Sequence, residues 1–381
     1  MYTTFRTRAE KVDVPTFLDC HVTGAARSMI GAPGGFGCAV MCRTSRGDIP
    51  INRGLFKRVW RGVRIPDGKH CAVGICNIAE TASKTSIPQE HVRELLRREA
   101  TFIRKAQVVP GVVNTPISFE YGGVYYFVMD YCKDGELFTL IEDLRTGERP
   151  PLPLATTVAM SIKMLQTVTG VHRLQIIHRD LKPENFFLIG LEPYLGDFGL
   201  ATYSDDQGSF GVKRPSGTAE QLAPEILSGA AASEKTDMWS LGVTLFTLLT
   251  GELLPQQLAN QHDGIVLASI PRDKNWHPKI EVPFVRQNRE LTTLLSKVLE
   301  VDPKKRISAF NALNRMRSIA VALKRPDKPH TQAVLPSQLV PLRAKRLTRP
   351  ASAFLPSAAK QKAQKAPVSA RPTKSPPSKA V

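Results

Sequence analysis

Between His178 and Gly199 the sequence gathers residues suited to one kind of chemistry. The stretch His178-Arg179-Asp180-Leu181-Lys182-Pro183-Glu184-Asn185 is followed closely by Asp197-Phe198-Gly199. Two aspartates, a carboxamide and a lysine fall within one short interval. Phosphoryl transfer from a metal-bound nucleotide needs that set: a base for the attacking hydroxyl, oxygen ligands for magnesium, and a cation beside the moving charge.

The elements that must hold these groups can be read on either side. Upstream, Ile51 to Gly62 alternates and continues through Val63 and Ile65 to a turn at Pro66-Asp67-Gly68-Lys69, and His70 to Cys76 follows as a second strand. After a Ser/Thr/Pro turn, Pro88 opens a helix with Val92, Leu95, Leu96 and Ala100 on one face, and Glu99 lies on it. Two strands are expected around Val112 to Phe119 and Val124 to Met129, the second apolar throughout and therefore interior. Asp130 to Gly135 breaks the pattern as a hinge. Beyond it the chain reads as helices over Glu136–Leu144 and Thr156–Leu174, with short strands Phe186–Ile189 and Tyr194–Leu195 flanking the catalytic stretch. Residues 200–217 are polar and hydroxyl-rich, a surface loop ended by Ala223-Pro224-Glu225. A helix presenting Trp239, Val243, Phe246 and Thr250 follows, then helices near 290–300 and 308–323.

Residues 1–46 read as an irregular extension with one strand near Cys38–Cys42. The glycine cluster Gly31 to Gly37 within it looks like a phosphate-cradling loop, but a turn at Arg46 to Pro50 follows it in place of a prompt strand. From about Pro326 the chain is rich in Pro, Ala, Ser and Lys and reads as a disordered basic tail.

Composition narrows the class. Across 381 residues, 42% are hydrophobic, enough for a two-lobed domain with tails. There are 52 Lys and Arg against 34 Asp and Glu, a net +18. No acidic residue follows Asp327, whereas basic residues recur from Lys328 to Lys379. Six cysteines form no CxxC pair, which reads as reduced thiols. The start of the chain has no apolar run like a signal peptide, and Leu241–Leu249 is too short to span a bilayer. A soluble, cytoplasmic protein is expected, with a nuclear address left open by the basic tail.

The residues resemble the eukaryotic protein kinase family over roughly 51–323. His178 to Asn185, Asp197-Phe198-Gly199, Gly217-Thr218, Ala223-Pro224-Glu225, Asp237 to Gly242, and Asp302-Pro303 with Arg306 occur in that family's order. The resemblance implies an α+β, two-lobed kinase fold: a small antiparallel β-sheet lobe with one helix at 47–130 and a mainly helical lobe at 131–325, between the extension at 1–46 and the tail at 326–381. It implies ATP and Mg2+ as cofactors and protein Ser/Thr hydroxyls as substrates, Lys182 being the residue of the serine/threonine form. Asp180 resembles the catalytic base and Lys182 the cation beside it, with Asn185 and Asp197 as magnesium ligands. The nucleotide would lie against Ile51, Gly54, Lys57, Val59, Ala72, Met129, Asp130, Cys132, Glu136 and Phe187. Glu225 and Arg306 resemble the buried pair that braces the substrate-binding segment, and Asp237 the residue that holds the catalytic-loop backbone.

One departure carries the interest. Where the family reads Val-Ala-Ile-Lys, this chain has Cys71-Ala72-Val73-Gly74, so the usual lysine is absent. The glycine loop keeps Gly54 but has Asn52 and Lys57 at the flanking glycine positions. Lys57 there is similar to the With-No-Lysine kinases, whose lysine is moved to the loop. On that reading Lys57 binds the phosphates and pairs with Glu99, and Gly74 leaves room for it. The competing reading is an exposed strand lysine beside Arg58. Phe198 and Pro183-Glu184 differ from that subfamily, and its chloride sensing is not inferred.

Arg179 before Asp180 is the arrangement that reads a phosphate on the activation segment. Ser204, Ser209 and Ser216 are candidate acceptors, Lys213 and Arg214 candidate partners, and Thr218 a contact for Asp180 and Lys182. Gln221 stands where the family has tyrosine. The domain is expected to be monomeric. The basic tail suits an acidic partner, nucleic acid or an anionic membrane, or serves only as solvated charge. The alternative to an active enzyme is a pseudokinase acting as a scaffold.

Overall fold

The computed structural model describes residues 18–22, 25–31, 37–41, 52–53, 56–64, 67–204, 221–251, 254 and 288–323. Eight strands come first: β1 (Leu18–Val22), β2 (Ala25–Gly31), β3 (Gly37–Met41), β4 (Asn52–Arg53), β5 (Arg58–Arg64), β6 (His70–Asn77), β7 (Ile117–Tyr121) and β8 (Val124–Asp130). They form one antiparallel sheet in the order β1-β2-β3-β5-β6-β8-β7, with β4 also paired to β5. Alternation sorts its faces. Cys71 and Val73 of β6 join Tyr126 and Val128 of β8 in a small apolar cluster on one face. Cys76, Tyr125 and Phe127 face the other way and belong to the main core. Interior β8 is apolar because both of its faces are covered.

Residues 18–41 hold the strand expected near Cys38–Cys42, as β3, and two more in place of the irregular chain expected before it. β1, β2 and β3 make a meander, and β3 pairs with the far end of β5 through Cys38↔Arg64 to Val40↔Gly62. The glycine cluster is the connection in this meander, with Gly31 paired to Gly37, so these two glycines lie across a strand ladder. Residues 32–36 lie outside the described residues.

Two helices back the sheet. The segment expected as a Ser/Thr/Pro turn forms α1 (Ile78–Thr85), started by the Asn77 side chain accepting from the Glu80 amide at 2.9 Å. Then α2 (Gln89–Ala106) buries Val92, Leu96, Ala100 and Ile103, a stripe of helical period, and Glu99 with them.

The chain leaves β8 at Asp130 and crosses to α3 (Leu137–Thr146) and α4 (Leu154–Arg173). Short strands β9 (Ile176–Ile177), β10 (Phe186–Ile189), β11 (Glu192–Leu195) and β12 (Thr202–Tyr203) pair as β10–β11 and β9–β12. The β10–β11 hairpin lies within the catalytic stretch and the β9–β12 pair closes it at both ends. Next come α5 (Pro224–Leu227), α6 (Glu234–Thr250), α7 (Arg289–Val298) and α8 (Ala309–Leu323). Helix α6 opens with a Ser233–Thr236 capping box and is buried at every position from Thr236 to Thr250, not on one face alone, because α4 and α7 both pack against it. Its threonines tolerate this by returning their hydroxyls to the preceding turn: Thr244, Thr247 and Thr250 donate to the carbonyls of Ser240, Val243 and Phe246. Gly242 lets α7 come close, since a Cβ there would lie 2.7 Å from Val298 Cγ1. Among the described residues no helix is long and apolar enough to cross a membrane.

Candidate active site

Asp237, buried on α6, accepts hydrogen bonds from the backbone amides of His178 and Arg179, both at 2.8 Å. The ring of His172, in the last turn of α4, reaches the same carboxylate at 2.9 Å. With Asp237 beneath it, Arg179 adopts φ 67, a left-handed conformation uncommon for a non-glycine residue. Asp197 does the same at φ 58, a smaller departure because short polar side chains tolerate it. The two segments are then tied to each other. His178 Nε2 lies 3.0 Å from the Gly196 carbonyl, the Gly196 amide donates to the Asn185 carbonyl at 2.9 Å, and buried Phe198 packs edge-on to the His178 ring.

Within this frame Asp180 Oδ2 is engaged by Lys182 Nζ at 2.8 Å and by Asn185 Nδ2 at 3.1 Å, and Nδ2 also reaches the Asp180 carbonyl. Burial weighs against the Lys182 ammonium, but the Asp180 carboxylate more than offsets it and leaves the lysine above its ordinary range. The other oxygen of Asp180, Oδ1, is buried and accepts no hydrogen bond among the described residues. An anchored carboxylate with one open acceptor can orient a hydroxyl and receive its proton.

Across the cleft, Lys57 immediately precedes β5. Its ammonium pairs with Glu99 of α2 and lies 3.1 Å from Asp197 Oδ1, with the Phe127 ring 5.1 Å away. The side chain is 17% exposed, so it is not the solvent-facing strand lysine of the competing reading. Gly74 lies opposite Val59, and a Cβ at 74 would sit 3.3 Å from Met129 Cε and 3.9 Å from Lys57 Cδ. A long side chain at 74 would need the volume that Lys57 fills. Burial opposes the Lys57 charge, but Asp197 and Glu99 together raise its pKa well above the ordinary lysine value. Burial pushes the Glu99 carboxyl up, opposed by Lys57. For Asp197, 45% exposed, partial desolvation acts in the same direction, yet the Lys57 ammonium prevails and holds the carboxyl below its ordinary range.

The expected nucleotide-contacting residues fall around this centre. Ala72 pairs with Met129 across β6 and β8, Phe187 on β10 bridges to buried Glu136, and Cys132 follows β8 with its thiol pushed up to about 12 by burial. The Asp130 carboxylate is taken by Asn114 Nδ2 at 3.1 Å and lies near Arg64. Ile51 and Gly54 lie outside the described residues, as do Ser209, Lys213, Arg214, Ser216, Gly217 and Thr218. Ser204 is described and exposed. Arg306, fully buried, grips Glu225 with both terminal nitrogens at 2.6 and 2.9 Å. Three participants are absent from the sequence reading: Phe127 beside Lys57, Asn114 at the hinge, and His172 under Asp237. Cross-strand register marks Phe127, directly opposite Gly74. For His172 no local signal exists, because its partner is 65 residues away.

A sheet lobe and a helical lobe joined at 131–136, with these two tied segments between them, define a protein kinase domain. The family model for the protein kinase domain matches residues 49–316, and the chain belongs to that family. Over 270 residues it is 30% identical to calcium-dependent protein kinase 14 of Oryza sativa subsp. japonica, covering 70% of this chain and 49% of that one. Over 271 residues it is 30% identical to the human phosphorylase b kinase gamma catalytic chain, liver/testis isoform, covering 69% and 63%. The serine/threonine-protein kinase cds1 of Schizosaccharomyces pombe is similar at 30%, covering 69% and 56%. The chain thus spans about half to just under two thirds of the length of these curated relatives.

Proposed function

We propose that this chain is an active serine/threonine protein kinase that transfers the γ-phosphoryl group of ATP to protein hydroxyls, with Lys57 supplying the phosphate-binding cation usually carried on β6. The observation that carries the reading is the Lys57 ammonium set between Glu99 and Asp197, beside a glycine at the position where the family's lysine is missing. The arrangement is similar to that of the With-No-Lysine kinases.

The donor set suits a nucleotide taken with magnesium. Asp197 keeps 45% of its side chain exposed, and Asn185 turns its Nδ2 toward Asp180, so its oxygen remains for a ligand. Two hard oxygens of this kind are what magnesium takes from protein when phosphates fill the other positions. Bound there, the ion would neutralise charge on the phosphates. The chain's own residues do the rest. Asp180 Oδ1 accepts the hydrogen of the substrate hydroxyl, Lys182 stays beside it as a cation, and Lys57 holds the phosphates with its position set by Glu99. A loose phosphoryl transition state asks for little beyond such positioning and charge.

Magnesium-dependent phosphorylation by the purified chain tests this. Asp180→Asn is expected to be inactive, Lys57→Met to lose about 10²–10³ in kcat/KM, and Lys69→Met, on an exposed turn, to match wild type. Full activity in Lys57→Met beside a dead Asp180→Asn would sink the Lys57 assignment. Equal inertness of wild type and Asp180→Asn would favour a scaffold. The proposal includes a monomeric domain and a cytoplasmic or nuclear address, and the uncompensated positive charge after Asp327 favours contact of that segment with an acidic partner, nucleic acid or an anionic membrane.

A further inference from the structure

Away from the cleft, an open groove of about 490 Å³ lies where α6, α7 and α8 meet. Four cations line it from separate stretches of chain: Lys235 on α6, Lys297 on α7, Lys305 in the turn before α8, and Arg315 on α8. Ser308 and Asn311 add neutral hydrogen-bonding groups, and Arg306 is part of the wall. No carboxylate lines it among the described residues.

Several basic side chains elsewhere on the described surface find acidic partners. Arg58 and Lys84 share Glu80, Arg93 meets Glu90 and Glu120, and Lys163 meets Glu192. Lys297, Lys305 and Arg315 have no carboxylate within ion-pair distance among the described residues. Lys235 donates to the Arg306 carbonyl, which neutralises nothing. Like charges gathered without counter-charge repel one another, and an anion that enters the groove relieves the repulsion while accepting hydrogen bonds.

We propose that this groove docks a phosphoserine or phosphothreonine of a protein partner. A compact, dianionic group with three acceptor oxygens matches several donors facing one concavity. A polyanionic backbone would instead call for a basic stripe. Arg306 adds a structural link, because its guanidinium holds Glu225 of the segment after Ala223-Pro224. The groove therefore adjoins the brace of that segment without touching the catalytic residues.

The test is fluorescence anisotropy on the full chain with two labelled degenerate heptapeptide pools, one with a central phosphoserine and one with serine. Wild type is expected to prefer the phosphorylated pool by at least about tenfold, 1.4 kcal/mol. The double variant Lys297→Glu/Arg315→Glu changes two exposed residues and is expected to lose that preference with an unchanged melting temperature. Should the double variant melt early, Asn311→Asp, also exposed, decides the matter by adding one negative charge, and it too is expected to weaken the phosphorylated pool. Equal binding of the two pools by wild type overturns the proposal, as does a preference that survives the groove variants. A single-stranded RNA dodecamer that displaces the phosphopeptide at equal phosphate concentration, and whose own binding falls in the groove variants, would reassign the groove to nucleic acid.

Discussion

Moving the lysine back is the sharpest perturbation this site offers. Lys57→Ala removes the cation from between Glu99 and Asp197, and by analogy with the loss of one transition-state charge partner kcat/KM should fall about 10²–10³-fold, near 3–4 kcal/mol. The cost in stability should stop short of the roughly 3–5 kcal/mol for a charge left buried and unpaired, since burial already favours a protonated Glu99, only 5% exposed. Gly74→Lys in that background then restores an ammonium from the β6 side. The geometry admits it: a Cβ at 74 meets the flexible end of Met129 at 3.3 Å and Phe127 Cβ at 3.6 Å, and the methylenes of Lys57 have vacated the path. Gly74→Lys alone puts two ammoniums and two stems into one volume, and overpacking of that kind costs about 1–3 kcal/mol. The expected order of kcat/KM is wild type, then the double variant, then Lys57→Ala, with the double variant recovering at least about tenfold of the loss. Steady-state phosphorylation, with thermal melts to confirm equal folding, measures it. A well-folded double variant no more active than Lys57→Ala would refute the reasoning, because the position of one cation would then not be what the site lacks.

Other outcomes follow from the same packing. Gly242→Ala places a methyl 2.7 Å from Val298 Cγ1 and 2.9 Å from Leu299 Cδ2, so urea unfolding should register a loss of about 1–3 kcal/mol. Asp237→Asn keeps one oxygen for the His178 and Arg179 amides and His172, and kcat should drop more than KM rises; an unchanged kcat would mean the loop needs no such anchor. The Asp197 carboxyl, held down by Lys57 against partial desolvation, has a folded pKa below its unfolded one. Its contribution to stability is therefore present above the unfolded value of about 3.9 and is lost as pH falls through the depressed folded value. In Lys57→Met the charge that holds this carboxyl down is gone, and carboxyl-carbon NMR should find Asp197 titrating at higher pH than in wild type; an unmoved titration would deny the coupling.

The catalytic stretch was legible because its residues are contiguous and their types are narrow in use. The pairing of Lys57 with Glu99 was expected for a different reason: one lysine is missing on a strand while another stands just before the neighbouring one, and cross-strand register brings the two positions together. The strands before residue 42 were harder to read. Leu18–Val22 and Ala25–Gly31 mix His, Ser, Ala and Arg with few β-branched residues, and their order comes from pairing with one another and, through Ala25–Gly31, with β3. Helix α1 was hidden by its composition, since only Ile78 and Thr81 are buried. Asn77 with Glu80 three positions on was the available start signal. The His172–Asp237 contact belongs to the packing of α4 on α6 and leaves no trace in either helix alone.

Where the lysine hangs matters as much as which carboxylates it meets. On β6 it would be anchored in a strand paired along most of its length to both neighbours. At position 57 it precedes β5, and the two residues of β4 are the partners of that end of β5 on its outer side. The charge that faces Glu99 and Asp197 is thus mounted on the rim of the cleft, while both carboxylates are mounted on its body. Any motion that lifts the β4–β5 hairpin withdraws the cation and strips Glu99 of its partner in one movement.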